Sequence, residues 1–240
     1  MILAVIPARY ASTRFPGKPL AMIRGKSMIQ RTWEQVSKAN LVDRVVVATD
    51  DERIATHVRG FGGDVVLTRA DHPSGTDRCA EVARLIKDAQ IILNVQGDEP
   101  FIQPEQIDFL AVTLLSQSKF GIATLLKAIT DPGVLQNPNV VKAVHAPTRG
   151  ALYFSRHPVP FVRDAPMDQW LLRHTFYKHI GMYAFRRNTL LKLSRLAPTP
   201  LEKAESLEQL RWLENGFQIA VGITEMETIG VDTPEDLEKL

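Results

Sequence analysis

Four short apolar runs, each followed by a stretch with helical spacing, constrain this chain more than any other feature. The runs are Leu3-Ala-Val-Ile-Pro7, Arg44-Val-Val-Val-Ala-Thr49, Asp64-Val-Val-Leu-Thr68 and Ile91-Ile-Leu-Asn-Val-Gln96. The last is apolar without alternation, as a central strand covered on both faces is. Ser27 is placed to cap a helix bearing Met28, Ile29, Trp33 and Val36. Asp50-Asp51-Glu52 puts acids in the first turn of a second helix, and Gly62-Gly63 stops it. A third helix is predicted from about Asp77, and Pro104 suits the first turn of a fourth. Strand and helix in alternation predict an α/β fold with a parallel, doubly wound sheet.

After Gly121 the rhythm changes. Strands are predicted at 122–127, 140–145, 151–156, 178–185 and 217–223, with helices at about 187–195 and 202–215 and a short one after Thr233-Pro234. Residues 157–176 read as irregular. The second half is α+β in pattern. With no repeat, low-complexity tract or clear linker, the expectation is a single domain over 1–240. The first 120 residues and the second half would be two lobes of that domain.

Composition narrows the function classes. The formal net charge is only +2, so any positive field must be local, and neither nucleic acid nor an anionic membrane is indicated as a partner. No apolar run approaches the ~20 residues that span a bilayer. The amino terminus lacks a signal-peptide pattern, which makes a reducing, cytoplasmic setting the expectation. Cys79 is the sole cysteine and reads as a small core residue of a helix.

The local positive field is easy to find. Arg9, Arg14 and Lys18, with Ser12 and Thr13, fall within ten residues directly after the first run. Pro16-Gly17 turns the chain and brings Lys18 back toward the loop's start. Ligands of open α/β sheets bind beyond the carboxyl ends of the strands, so this loop suits a polyphosphate. Charge count alone does not separate it from a solvated turn. Neither G-x-x-x-x-G-K-[ST] nor G-x-G-x-x-G is present, so side-chain cations would replace a glycine nest.

Three further stretches carry chemistry. Asp98, in Gln96-Gly97-Asp98-Glu99-Pro100, stands just past a buried strand and suits Mg2+ shared with substrate phosphates, though it also fits a plain turn. Asp232, in Gly230-Val-Asp-Thr-Pro234, would add a second carboxylate or merely assist a helix cap. The loop Arg69–Arg78 has the hydrogen-bonding groups to read a base edge, and equally those of an ordinary connection.

In order, these stretches match one family. Ile6-Pro-Ala-Arg-Tyr-Ala-Ser-Thr-Arg-Phe-Pro-Gly-Lys-Pro-Leu20, Val47-Ala-Thr-Asp50, Thr68-Arg-Ala-Asp-His-Pro-Ser-Gly-Thr-Asp-Arg78, Asn94-Val-Gln-Gly-Asp-Glu-Pro100, Leu152-Tyr-Phe-Ser-Arg156, Glu205-Ser-Leu-Glu-Gln-Leu-Arg211 and Gly230-Val-Asp-Thr-Pro-Glu-Asp-Leu237 closely resemble the 3-deoxy-manno-octulosonate (Kdo) cytidylyltransferases. The resemblance covers essentially the whole chain. It implies a Rossmann-like nucleotide-diphospho-sugar transferase fold with a mixed, mostly parallel sheet and a smaller α+β lobe. It implies transfer of CMP from CTP to Kdo for lipopolysaccharide synthesis, with Mg2+ as cofactor, in a homodimer.

Site residues follow from the resemblance, position by position. Arg9, Lys18 and Arg14 would hold the triphosphate. Arg69, Ser74, Gly75, Thr76, Asp77 and Arg78, with Gln96, would surround cytosine and ribose. Asp98 and Asp232 would hold catalytic Mg2+, with a second ion on the triphosphate; Arg9, Lys18, Asp98 and Asp232 form the catalytic set. Arg156, His179, Tyr183, Glu208 and Gln209 would lie on the sugar-acid side. His179 is the nearest candidate for a general base, but a lone strand histidine more often has a structural or substrate-holding role. Rival readings are a cytidylyltransferase for 8-amino-Kdo or sialic acid, and a non-catalytic nucleotide binder.

Overall fold

The amino-terminal apolar run becomes β1 (Ile2–Ala8), and a small hairpin of β2 (Met22–Ile23) and β3 (Lys26–Ser27) leads into α1 (Met28–Val36). A computed structural model describes residues 1–11, 15–148, 150–227, 230–231 and 233–237. Ser27 caps α1 as its sequence predicts, its Oγ accepting from Gln30 N at 3.2 Å. Then come β4 (Arg44–Thr49), α2 (Glu52–Gly60), β5 (Asp64–Leu67), α3 (Gly75–Leu85), β6 (Ile91–Asn94) and α4 (Pro104–Leu115). α3 starts two residues before its predicted position. Ser74 lies outside the helix and its Oγ accepts from Asp77 N at 3.1 Å, which caps the first turn.

The second half contributes β7 (Ile122–Ala128), α5 (Pro132–Gln136), β8 (Lys142–His145), β9 (Ala151–Ser155), α6 (Trp170–Arg173) and β10 (Tyr177–Arg186). It ends with α7 (Arg187–Leu193), α8 (Pro200–Glu205), α9 (Glu208–Glu214), β11 (Ile219–Ile223) and α10 (Pro234–Leu237). The single helix predicted over 202–215 is in fact two. Ser206 adopts the left-handed conformation (φ 52°) and ends α8, while Leu207 turns into the core ahead of α9. Residues 157–176 are not wholly irregular either. A 3-10 turn at Met167–Gln169 and α6 close a satellite core of Ile129, Leu135, Trp170 and Phe176.

One sheet joins both halves, in the order β11-β7-β10-β6-β1-β4-β5, with β8 and β9 attached beside β10. β6, β1, β4 and β5 are parallel, and β11 is parallel to β7. β10 runs antiparallel between β6 and β7, so the sheet is mixed and mostly parallel. One face packs on α1, α2 and α4 through Ile29, Val36, Ile54, Val58, Ile107 and Leu110. The other packs on α3, α7 and α9 through Cys79, Val82, Leu190, Leu193, Leu210 and Trp212. Cys79 is fully buried, which pushes its thiol well above the ordinary value. No helix among the described residues is long and apolar enough to cross a membrane.

Candidate active site

The strand order places a site before any side chain is considered. From β1 the chain winds through β4 to β5, then α3 crosses back to β6 on the other side of β1. A crevice opens at the carboxyl ends of β1 and β6, where the winding reverses. A cleft of about 270 Å3 lies there. Pro7, Ala8 and Arg9 enter it from the end of β1, Gln96, Gly97 and Asp98 from the turn after β6, and Ser74, Gly75 and Arg78 from the start of α3; Lys18 and His72 complete the polar wall.

Backbone contacts hold these segments close. A Cβ on Gly97 would stand 3.0 Å from the Pro7 carbonyl oxygen, so glycine lets the β6 turn pass the end of β1 without pushing it aside. Gly17 N donates to Tyr10 O at 2.9 Å, and Gly17 has φ +72°, which returns Lys18 to the loop's base as the Pro-Gly pair predicts. Lys18 Nζ donates to Asp98 Oδ2 at 2.7 Å and to the Val231 carbonyl at 2.7 Å. Val231 N in turn donates to the Asp98 carbonyl at 2.9 Å, and the Val231 side chain is buried with Ile23 and Met28. The first loop, the β6 turn and the carboxyl-terminal segment therefore meet at Lys18 and Asp98.

Asp98 meets what a magnesium ion asks of a protein that shares it with a polyphosphate. It offers a carboxylate about one-third exposed in the cleft, already facing a cation in the Lys18 ammonium. Among the described residues no three His, Cys, Asp or Glu side chains form a metal cage, so an ion here would take most ligands from elsewhere. Asp232 and Arg14 lie outside the described residues.

The predicted base loop divides in the structure. Ser74, Gly75 and Arg78 line the cleft, while Thr76 and Asp77 are buried behind it. Arg69 is exposed, forms a fork with Asp71, and borders a neighbouring groove with Arg84 and Arg211. Arg78 is nearly buried, pairs with Asp50 at 2.9 Å and bonds Thr68 Oγ1. His72, inside the same loop, bonds Glu81, whose carboxylate also accepts from Arg69 N at 3.0 Å. The signals were there: an acid ending β4 and a histidine inside the loop. Gln96 Nε2 donates to the Gly181 carbonyl at 2.9 Å, which a register shift in β10 between Ile180 and Tyr183 leaves out of the ladder.

Of the residues expected on the acceptor side, Glu208 contacts the Ser74 turn, His179 and Tyr183 pack ring to ring, and Arg156 is held apart from them. Glu208, in the first turn of α9, accepts from Ser74 Oγ at 2.9 Å and from Thr76 Oγ1 at 2.6 Å. Ser74 has one hydroxyl proton but also lies 2.7 Å from Asp77 Oδ2. Burial raises the Glu208 pKa, and nearby Asp77 pushes it the same way. Tyr183 is buried, its ring 5.2 Å from that of His179 and 4.9 Å from that of Trp212, and its hydroxyl has no partner among the described residues.

His179 Nε2 lies 2.8 Å from Thr124 Oγ1, whose proton goes to the carbonyl of Met182 or Ile180. The network therefore assigns the proton to His179 Nε2 and leaves Nδ1 as an acceptor. Its apolar surroundings, including the Phe154 ring at 5.2 Å, bring its pKa down to about 3, although an edge of the residue reaches solvent. Arg156 is held against main chain, donating to Glu205 O at 2.7 Å and Pro138 O at 3.0 Å. Gln209 is nearly buried beside Glu208.

Residues 3–226 match the family model described as Cytidylyltransferase. A 3-deoxy-manno-octulosonate cytidylyltransferase of Cytophaga hutchinsonii is 54% identical over 238 residues, covering 98% of this chain and 94% of that protein. One from Geobacter metallireducens is 54% identical over 246 residues, covering 100% and 96%. This chain belongs to the 3-deoxy-manno-octulosonate cytidylyltransferase family.

A solved structure of CMP:2-keto-3-deoxy-manno-octonic acid synthetase complexed with CTP aligns with this cytidylyltransferase at a TM-score of 0.92 and 43% identity, covering 99% of this chain and 95% of that one. A cytidylyltransferase from Leptospira borgpetersenii, at 17% identity and a TM-score of 0.61, shares the fold. The α/β nucleotide-sugar transferase fold implied by the motifs is thus the fold observed.

Proposed function

We propose that this chain transfers CMP from CTP to the anomeric hydroxyl of Kdo, giving CMP-Kdo and pyrophosphate. One observation carries the reading beyond family membership: a single crevice collects Arg9, Lys18, Asp98, Ser74, Gly75 and Arg78, and Glu208 accepts from Ser74 and Thr76 at its wall.

The acceptor hydroxyl releases its proton to solvent as its oxygen attacks the α-phosphorus, the bond from that phosphorus to the bridging oxygen breaks, and pyrophosphate departs in line. Such transfers depend on positioning and on charge stabilisation. Arg9 and Lys18 would neutralise the departing phosphates. Asp98 and Asp232 would hold Mg2+, which supplies charge neutralisation at the α-phosphate and a lower pKa for the acceptor hydroxyl. Ser74, Gly75, Arg78 and Gln96 would frame the nucleoside, and Arg156, Tyr183, His179, Glu208 and Gln209 the sugar acid. No separate general base is needed.

Homodimer formation is part of the proposal. Leu152, Phe161 and Leu172, exposed by 60%, 74% and 84%, support a contact through the second half. The setting would be cytoplasmic, where the nucleotide is available.

Pyrophosphate release from CTP and Mg2+ tests the reading, with Kdo, 8-amino-Kdo and sialic acid compared as acceptors. Release with Kdo above the other two is expected. Release with another acid alone, or with none, would overturn it.

A further inference from the structure

The loop bearing Arg9 and Lys18 leaves the sheet at the end of β1, and the 3-10 turn Lys18–Leu20 and the β2–β3 hairpin follow it. Its outer side meets α2. The Arg53 guanidinium lies 3.3 Å from the centre of the Tyr10 ring, and the same guanidinium forks onto Asp51, Nε to Oδ1 at 2.9 Å and Nη2 to Oδ2 at 2.6 Å. Asp51 is itself fixed, because Oδ1 caps α2 by accepting from Arg53 N at 2.9 Å.

On its other side Tyr10 carries the returning loop. Its carbonyl accepts from Gly17 N, and a Cβ on Gly17 would stand 3.1 Å from the ring. An unbroken line of contacts thus runs from the cap of α2 through Asp51, Arg53, Tyr10 and Gly17 to Lys18. Arg53 is well exposed and does not border the cleft, so contact with a ligand does not explain its placement.

We propose that Arg53 and Tyr10 form a clamp that positions the phosphate-facing loop, with Asp51 orienting the guanidinium. The clamp rests on the functional reading above. Its parts are a cation over an aromatic face and a forked ion pair, each directional, so they fix the loop's angle as well as its distance. Cations positioned before the nucleotide arrives spare the cost of ordering them on binding.

The test compares wild type with Arg53→Ala, Tyr10→Ala and Tyr10→Phe, using the full chain with Mg2+. Calorimetric titration with CTP and the steady-state constants are read together. Arg53→Ala and Tyr10→Ala are expected to weaken CTP binding and raise its KM roughly threefold to thirtyfold, with kcat at saturating CTP within about twofold. Tyr10→Phe keeps the ring face and restores the wild-type constants.

Tryptic cleavage within residues 9–15, followed by mass spectrometry, is expected to quicken in both alanine variants without nucleotide. Unchanged CTP constants together with unchanged cleavage would overturn the clamp. If wild type itself binds no CTP, the functional reading falls, and the cleavage rates alone decide for or against the clamp.

Discussion

Lys18 and Asp98, eighty residues apart in sequence, form an ion pair 2.7 Å long at the mouth of the cleft. The pair sets the loop after β1 against the turn after β6, and the Val231 carbonyl shares the same ammonium. Two of the four residues assigned to catalysis are therefore in contact before substrate arrives.

Asp98→Asn is expected to lower turnover by about a hundredfold or more, since it weakens the carboxylate assigned to Mg2+. The fold should survive, because the Asp98 backbone carbonyl still accepts from Val231 N. Asp232→Asn should act alike. Circular dichroism and pyrophosphate release read the two effects, and full activity in either variant would remove that residue from the metal assignment.

Lys18→Ala should chiefly damage nucleotide use. Losing a charged hydrogen-bonding group at the triphosphate corresponds to roughly a ten- to hundredfold rise in the CTP constant. An unchanged response to CTP concentration would count against its place on the phosphates.

His179 is expected to stay neutral from pH 5 to 8. Its folded pKa of about 3 lies below the ordinary 6.5, so its contribution to stability is present above 6.5 and is lost as pH falls toward 3. The imidazole nitrogen signals of the folded protein should not titrate between pH 5 and 8. A midpoint above 5 would reopen a role as general base.

Glu208 behaves in the opposite sense. Folding raises its pKa above 4.5, so the stability it contributes is complete below 4.5 and is lost as pH rises through the folded value. Glu208→Gln removes that dependence. The melting temperature of wild type relative to Glu208→Gln should fall across this window, and parallel curves would show that folding leaves the group unshifted.

Much of the architecture was legible because it rests on local signals. Ser27, Pro104 and the apolar runs β4 and β6 mark their elements by capping, ring constraint and continuous hydrophobicity. The direction of β10 was not legible, since an apolar strand reads alike in a parallel or antiparallel partner. The break at Ser206 was missed because helical spacing resumes at Glu208, and the left-handed residue is not a glycine.

In the site, charge and turn chemistry exposed Arg9, Lys18 and Asp98. The supporting contacts of Arg53, Asp50 and Glu81 stayed hidden, because each joins elements that only the sheet brings together. The base loop's split, with Arg69 outward and Arg78 inward, depends likewise on where α3 begins.

The antiparallel strand also bears on how the chain reaches this state. β6 is complete by residue 94, but one of its edges stays unpaired until residues 183–186 of β10 arrive. During synthesis the first half would emerge with an open strand edge, a template for pairing with other chains. Closing that edge requires contacts about ninety residues apart, so the sheet is continuous only once β10 has paired with β6.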